Sequence, residues 1–211
     1  MKLTKYGHAC MTLEEQSKKL LIDPGVMTPN IGEVNDIVAV VVTHEHADHL
    51  NLAHLAQVAQ ANPDVKIFTP SDAAKKLQGL PATTVKAGDK LQVGPFQLVF
   101  YGEKHAEVHE HVPMCDNVGV LVNDNFYFPG DSFTKPGVPV KTLALPISGP
   151  WLKTGEVIDY LDAVKPTSTF PTHDGMLSAG GKQMYEAWTQ QTCEKHGITW
   201  FALEPGESKE I

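Results

Sequence analysis

At 211 residues, 42% of them hydrophobic and 20% charged, the chain has the composition of a packed α/β domain spanning 1–211, which argues against a disordered protein. A net charge of −8 without any run of Lys or Arg argues against general binding of long nucleic acids. No stretch reaches the roughly 20 apolar residues of a membrane helix, the start lacks a leader-like apolar core, and Cys10, Cys115 and Cys193 are odd in number and far apart; a cytoplasmic protein with free thiols is expected.

Three β-like runs come first, LTKY, CMTLE and KLLID, and the turn former Asp23-Pro24-Gly25 stops the last. IVAVVVTH follows, a near-continuous apolar run such as a strand buried on both faces requires. From Leu50 to Ala61, apolar residues at Leu52, Leu55, Ala56 and Ala59 have helical spacing. VKIFT predicts another strand, and Ser71 is placed to cap a short helix through Lys76. The middle is β-rich (ATTVK, KLQV, FQLVFY, NVGVLV, NFYFP), and GVLV-NDN-FYF reads as a hairpin turned by Asn and Asp. After Asp131 strands and helices alternate again. LALP is a strand, Thr154 caps a helix to about Val164, STFPT is a strand, Ala179 to His196 is a helix ended by Gly197, and ITWFAL is the final strand. Two sheets packed face to face, with helices outside each, satisfy that order.

The strongest chemical signal is Thr43-His44-Glu45-His46-Ala47-Asp48-His49, between the buried strand and the first helix. Grouping three imidazoles and two carboxylates within six residues costs conformational freedom and repulsion unless they serve a purpose. A solvated His-rich loop is the bland alternative, and the tight grouping of ligand types disfavours it. His44 and His46 lie two apart, so in an extended loop they point to one side. Asp48 and His49, in the turn that opens the helix, can aim at a second point. One loop can thus serve two neighbouring ions, and nitrogen-plus-carboxylate ligation suits zinc, with manganese and iron as alternatives. Further ligand types stand where strands give way to loops: Gly102-Glu103-Lys104-His105, Phe128-Pro129-Gly130-Asp131-Ser132 and Phe170-Pro171-Thr172-His173-Asp174-Gly175.

The order HxHxDH, then His, then Asp, then His resembles the metallo-β-lactamase superfamily, from Asp23 to His173. GHAC at Gly7–Cys10, LLIDPG, GEKHAEVH, NVGVLV, FPGDSF, SGPW and PTHDG look like its small bacterial branch, which includes ascorbate-6-phosphate lactonase-like hydrolases. The resemblance implies a four-layer αββα sandwich and a dinuclear site. It implies that His44, His46 and His105 hold the first ion and that Asp48, His49 and His173 hold the second. Asp131 would bridge both together with a water or hydroxide, and Asp23 would buttress the motif loop. His109 and His111 compete with His105 for the third histidine place, and His105 is preferred as nearest the preceding strand. Asp48, Asp131, His8 and His109 are the candidate catalytic residues, with His8 or His109 as a proton donor to the leaving group. By composition alone His8 reads as a half-buried strand-end histidine.

Trp151 is either a pocket wall or core, Asp174 a helper or turn residue, and His54, His196 and His111 are structural or surface residues. Cys10 and Cys115 read as small buried hydrophobes. No GxSxG is present, which argues against a serine nucleophile. The implied activity is hydrolysis of an ester-type bond in a small molecule, a lactone or phosphate ester. A ribonuclease or other nuclease of the same fold, and a di-iron oxidoreductase, are the alternatives. A homo-oligomer is compatible with this reading.

Overall fold

A computed structural model of the chain describes residues 1–77 and 79–211. In the first part β1 (Lys2–Gly7), β2 (Cys10–Glu15) and β3 (Lys18–Ile22) form an antiparallel meander. The same sheet continues in parallel through β4 (Ile37–Val41), α1 (Leu52–Ala61), β5 (Lys66–Thr69), α2 (Ser71–Lys76) and β6 (Ala82–Thr84). In the second part β7 (Lys90–Val93), β8 (Phe96–Tyr101), β9 (Gly119–Val122) and β10 (Phe126–Phe128) are antiparallel neighbours. The strands β11 (Thr142–Pro146), β12 (Ser168–Thr172) and β13 (Thr199–Trp200) then run parallel, joined by α3 (Thr154–Val164) and α4 (Ala179–His196). Finally β14 (Ser208–Glu210) returns to the first sheet, antiparallel on β1.

The two sheets match strand for strand. The order β14-β1-β2-β3-β4-β5-β6 has the same strand senses as β7-β8-β9-β10-β11-β12-β13. Helices also occupy equivalent crossovers in the two halves. By position, the β1–β2 turn corresponds to the β8–β9 connection, and the residues after β3 correspond to those after β10.

The layers follow from where apolar side chains are buried. Leu13, Leu20 and Val41 of the first sheet pack with Phe96, Phe100, Phe126, Phe128 and Phe170 of the second in the central layer. Each such side chain contributes about 1.5–3 kcal/mol relative to exposure. On the outer face of the first sheet, Val40 and Ile67 pack against Leu55 and Val58 of α1 and Ala73 of α2. Behind the second, Leu143 and Leu145 pack against Val157 and Leu161 of α3 and Cys193 of α4. Val41 faces one layer and Val40 the other, which is why the β4 sequence shows no polar alternation. The fold is the four-layer αββα sandwich that the sequence pattern predicts.

Local signals act as read in most places. Asn123 and Asp124 turn the β9–β10 hairpin with φ of 52° and 50°, the left-handed pair that a type I′ turn demands. Gly197 closes α4 at φ 66°. Three expectations need correction. Pro70, not Ser71, stands at the cap of α2, and Lys153, not Thr154, at the cap of α3, where the Glu156 carboxylate accepts the Lys153 backbone N–H at 2.6 Å. ITWFAL is a strand only over Thr199–Trp200. The chain then leaves for the first sheet, and β14, whose three residues are all exposed, carries no hydrophobic signal. Among the described residues no helix is long and apolar enough to cross a membrane.

Candidate metal centre

The end of β4 delivers the motif loop, and the end of β3 holds it in place. Asp23, fully buried, accepts the Thr43 backbone N–H on Oδ1 at 2.7 Å. Its Oδ2 accepts the Thr43 hydroxyl at 2.6 Å and His49 Nδ1–H at 2.6 Å. With the Thr43 hydrogen so committed, its oxygen accepts from His44 Nδ1–H at 3.1 Å. Gly25 lies directly beneath the loop: a Cβ there would overlap the Asp48 carbonyl and crowd the His49 nitrogen.

Three ligand-type residues arrive from the second sheet. His105, after β8, is pinned by its N–H to Cys115 O at 3.1 Å, and the next N–H, of Ala106, bonds to Asp131 O at 2.8 Å. Asp131 follows β10, with its backbone N–H on Asn117 Oδ1 at 3.0 Å and the Trp151 indole N–H on its Oδ2 at 2.8 Å. His173 follows β12 in a left-handed conformation, φ 58°, and donates Nδ1–H to Ser148 O at 2.6 Å. His105 Nδ1 likewise donates to the Ala106 carbonyl at 2.6 Å.

These bonds orient the rings. In His44, His49, His105 and His173 the Nδ1 hydrogen is held by an oxygen, which leaves the lone pair of the neutral ring on Nε2. All four Nε2 atoms turn toward Asp131. They lie 3.1 Å from it for His49, 2.9 Å for His173, 3.4 Å for His105 and 4.0 Å for His44. His46, exposed at the mouth, sets its Nδ1 3.1 Å from His44 Nε2. Asp48, partly open to solvent, stands 3.5 Å from His173 Nε2 and 3.8 Å from His49 Nε2.

The donors form three overlapping clusters, each with its ligand atoms within 4.8 Å of one another: His44, His46 and His105; His8, Asp48, His49 and His173; and His44, His49 and Asp131. The buried Nε2 atoms of His49, His105 and His173 and Oδ1 of Asp131 have no hydrogen-bond partner. Stranding such atoms costs about 1–3 kcal/mol each. Two ligand atoms on one tetrahedral zinc ion sit about 3.3 Å apart, close to several of these separations. The residues therefore fit divalent cations of the kind the fold implies.

Electrostatics agree. Burial would push the Asp131 carboxyl up, yet His49 and His173 hold it well below the carboxylate range. Burial would lower His49 and His173, but the carboxylates win. Asp131 and Asp23 raise His49 well above the ordinary imidazole value, and Asp131 and Asp48 raise His173 to about 9. Burial dominates at His44 and His46 and keeps both neutral at pH 7. Without a cation, the cluster attracts protons in its place.

The structure thus gathers His44, His46, Asp48, His49, His105, Asp131 and His173. It also brings in His8, which is buried and not half-buried, with its ring centroid 4.1 Å from that of His173. It does not bring in His109, which is exposed beside the exposed His111, ring centroids 5.0 Å apart. Glu45 turns outward to Lys76 at 3.2 Å. His54 donates from Nδ1 to Pro24 O at 3.3 Å, and His196 pairs with Asp162 at 2.6 Å, both away from the cluster.

Trp151, read from the sequence as either pocket wall or core, is a participant, and Lys5 is one that the sequence reading missed. Trp151 touches Asp131 directly and sets its ring edge-on to His105 and His173. Lys5, only 2% exposed, donates to Pro171 O and to Asp174 Oδ2, both at 2.9 Å, and so grips the segment bearing His173 from either side. A signal for Lys5 existed: with Leu3 it lies on the inward face of β1, where a lysine needs a buried partner.

Comparison with known proteins gives the same frame. Residues 2–173 match the family model described as "Beta-lactamase superfamily domain". A Mycobacterium tuberculosis protein, Rv0786c, is 32% identical over 190 residues, which cover 88% of this chain and 89% of that protein. An Aeropyrum pernix protein named a UPF0173 metal-dependent hydrolase is 25% identical over 243 residues, covering 100% of this chain and 97% of its own length. Among solved structures, Igni18, described as a novel metallo hydrolase from Ignicoccus hospitalis, superposes with a TM-score of 0.75 at 19% identity, over 100% of this chain and 98% of that one.

Proposed function

The chain belongs to the β-lactamase superfamily, and on that premise we propose that it is a metal-dependent hydrolase acting on an ester-type bond of a small molecule, a lactone or a phosphate ester. The observation that carries this reading is the set of buried, unpartnered Nε2 and carboxylate atoms converging on Asp131. His44, His46 and His105 would hold one ion and Asp48, His49 and His173 a second, with Asp131 shared between them. Five imidazoles and two carboxylates favour zinc, with manganese and iron as alternatives. Such ions, when bound, supply the positive charge that makes water nucleophilic near neutral pH and that polarises the substrate oxygen.

The side chains do the rest. Asp23, Ser148 O and Ala106 O fix the rings so that little reorganisation is needed when substrate arrives. Trp151 closes one flank against water and holds Asp131 in orientation. Exposed His46 and half-buried Asp48 mark the side open to solvent, from which a substrate would enter.

The test is metal analysis of the purified chain, then a screen of lactones, phosphodiesters and RNA with zinc, manganese and iron. About two equivalents of metal and turnover of a lactone or phosphate ester, abolished in Asp131→Ala with the fold retained, are expected. A chain that takes up no metal, or a loaded chain that hydrolyses none of these, would overturn the reading.

A further inference from the structure

His8 lies in the turn between β1 and β2, after Gly7, with φ 47° and 1% of its surface exposed. Its carbonyl and both ring nitrogens are engaged. Its carbonyl accepts the His173 backbone N–H at 3.0 Å. Its Nδ1 lies 3.1 Å from the Gly175 backbone nitrogen, and its Nε2 lies 3.1 Å from Asp48 Oδ2. A backbone N–H can only donate, so Nδ1 carries a lone pair and the neutral ring carries its hydrogen on Nε2. That hydrogen is directed to the Asp48 carboxylate. Gly175 lets the two loops approach closely: a Cβ there would sit 3.0 Å from His8 Nδ1 and press on the ring.

This settles a choice that proximity leaves open. His8 groups with Asp48, His49 and His173 as a fourth donor. Its Nε2, however, has no free lone pair while Gly175 holds Nδ1. Ligating His49 and His173 show the opposite arrangement, with the hydrogen on Nδ1 and the lone pair on Nε2. His8 is also buried, with its ring against that of His173 and its Nε2 committed to Asp48.

We propose that His8 is a positioning residue: it orients the Asp48 carboxylate toward the second ion and ties the motif loop to the loop bearing His173. It occupies in the first half the place that the His105-bearing connection occupies in the second. One half thus supplies a ligand from that turn, and the other supplies the brace for a ligand. The proposal rests on the metal-hydrolase reading above.

The experiment is titration of the full chain, and of His8→Ala and His8→Gln, with zinc and cobalt against a chromophoric chelator. It is paired with NMR of the His8 ring nitrogens in the metal-free wild type. The wild type should bind two ions. His8→Ala should weaken one of the two affinities by about 10–100-fold, the usual loss when a ligand's outer partner is removed, and leave the other unchanged. His8→Gln, whose amide can still donate to Asp48, should recover most of that loss, and the cobalt spectrum of both variants should keep the wild-type ligand field. NMR should show Nδ1 unprotonated. Unchanged affinities in His8→Ala, an altered ligand field, no rescue by Gln, or a hydrogen on Nδ1 would each overturn the proposal. If His8→Ala does not fold, the Gln variant and the NMR tautomer still decide. A wild type that binds no metal sinks the hydrolase reading and this proposal together, whereas two ions bound equally well by every variant sinks the proposal alone.

Discussion

Trp151 donates its indole N–H to Oδ2 of Asp131 at 2.8 Å, and both side chains are buried. The same oxygen lies 2.9 Å from His173 Nε2 and 3.4 Å from His105 Nε2. The indole therefore sets which way the central carboxylate faces. A hydrogen bond to a charged group is worth about 1.5–3 kcal/mol. Trp151→Phe keeps an aromatic wall and removes the donor, so metal affinity should fall about 10–100-fold with the thermal midpoint little moved. A chelator competition assay reads this, and wild-type affinity in the Phe variant would deny the indole that role.

Asp23 offers a sharper contrast between stability and ligation. Asp23→Ala strands the Thr43 N–H and removes the partner of His49, a loss of about 3–5 kcal/mol that urea unfolding should register as a lower midpoint at unchanged slope. Asp23→Asn keeps size and an acceptor for Thr43, but its amide would donate to His49 Nδ1. That moves the ring hydrogen to Nε2 and blocks it as a ligand. Asn should therefore cost much less stability than Ala yet lose most of the binding of one ion.

Metal uptake should release protons. In the cation-free chain His173 is raised to about 9, so near pH 7 it holds a proton that a metal ion must displace. Affinity should climb as pH rises toward 9 and level beyond. The stability of the metal-free chain runs the other way: the raised imidazole contributes fully below the free-histidine value of 6.5 and its contribution is lost as pH rises through about 9. Calorimetry in buffers of different ionisation enthalpy measures the protons, and melting curves with a chelator measure the second effect. No proton release at pH 7 would mean that the imidazoles are already free.

His105 and His109 should separate cleanly. His105→Ala removes a buried donor of the first cluster and should lower metal content and abolish turnover. His109→Ala alters an exposed side chain and should leave metal content unchanged. Equal metal loss in the two variants would require the 106–114 loop to fold inward on loading.

Much of this was legible in the residues themselves. HxHxDH after an apolar run, and His or Asp after three later strands, placed ligand types at strand ends, because a strand fixes where its last residue points. What stayed hidden depends on partners distant in sequence. Three histidines between 105 and 111 look alike until Cys115 O and Asp131 O pin the backbone around His105. Trp151 reads as either wall or core until the indole meets Asp131. The matching halves leave no periodic signal, since each position in one half needs only the same backbone path as its counterpart, not the same side chain. β14 is held by backbone pairing on β1 and by surface contacts such as the Thr4–Ser208 hydroxyl pair and Lys209 over the Phe201 ring, so its polar sequence gives no warning.

The donors are split between the halves: His44, His46, Asp48 and His49 hang from the first sheet, and His105, Asp131 and His173 from the second. Each of the two proposed ions draws its donors from both sheets. A cation seated among them would work as a clasp across the seam, so stripping it should loosen the contact between sheets before either sheet frays. Hydrogen exchange would then register the loss first along the strand ends that face each other, and a chelator would act as a solvent for the joint before it acts as a denaturant of its parts.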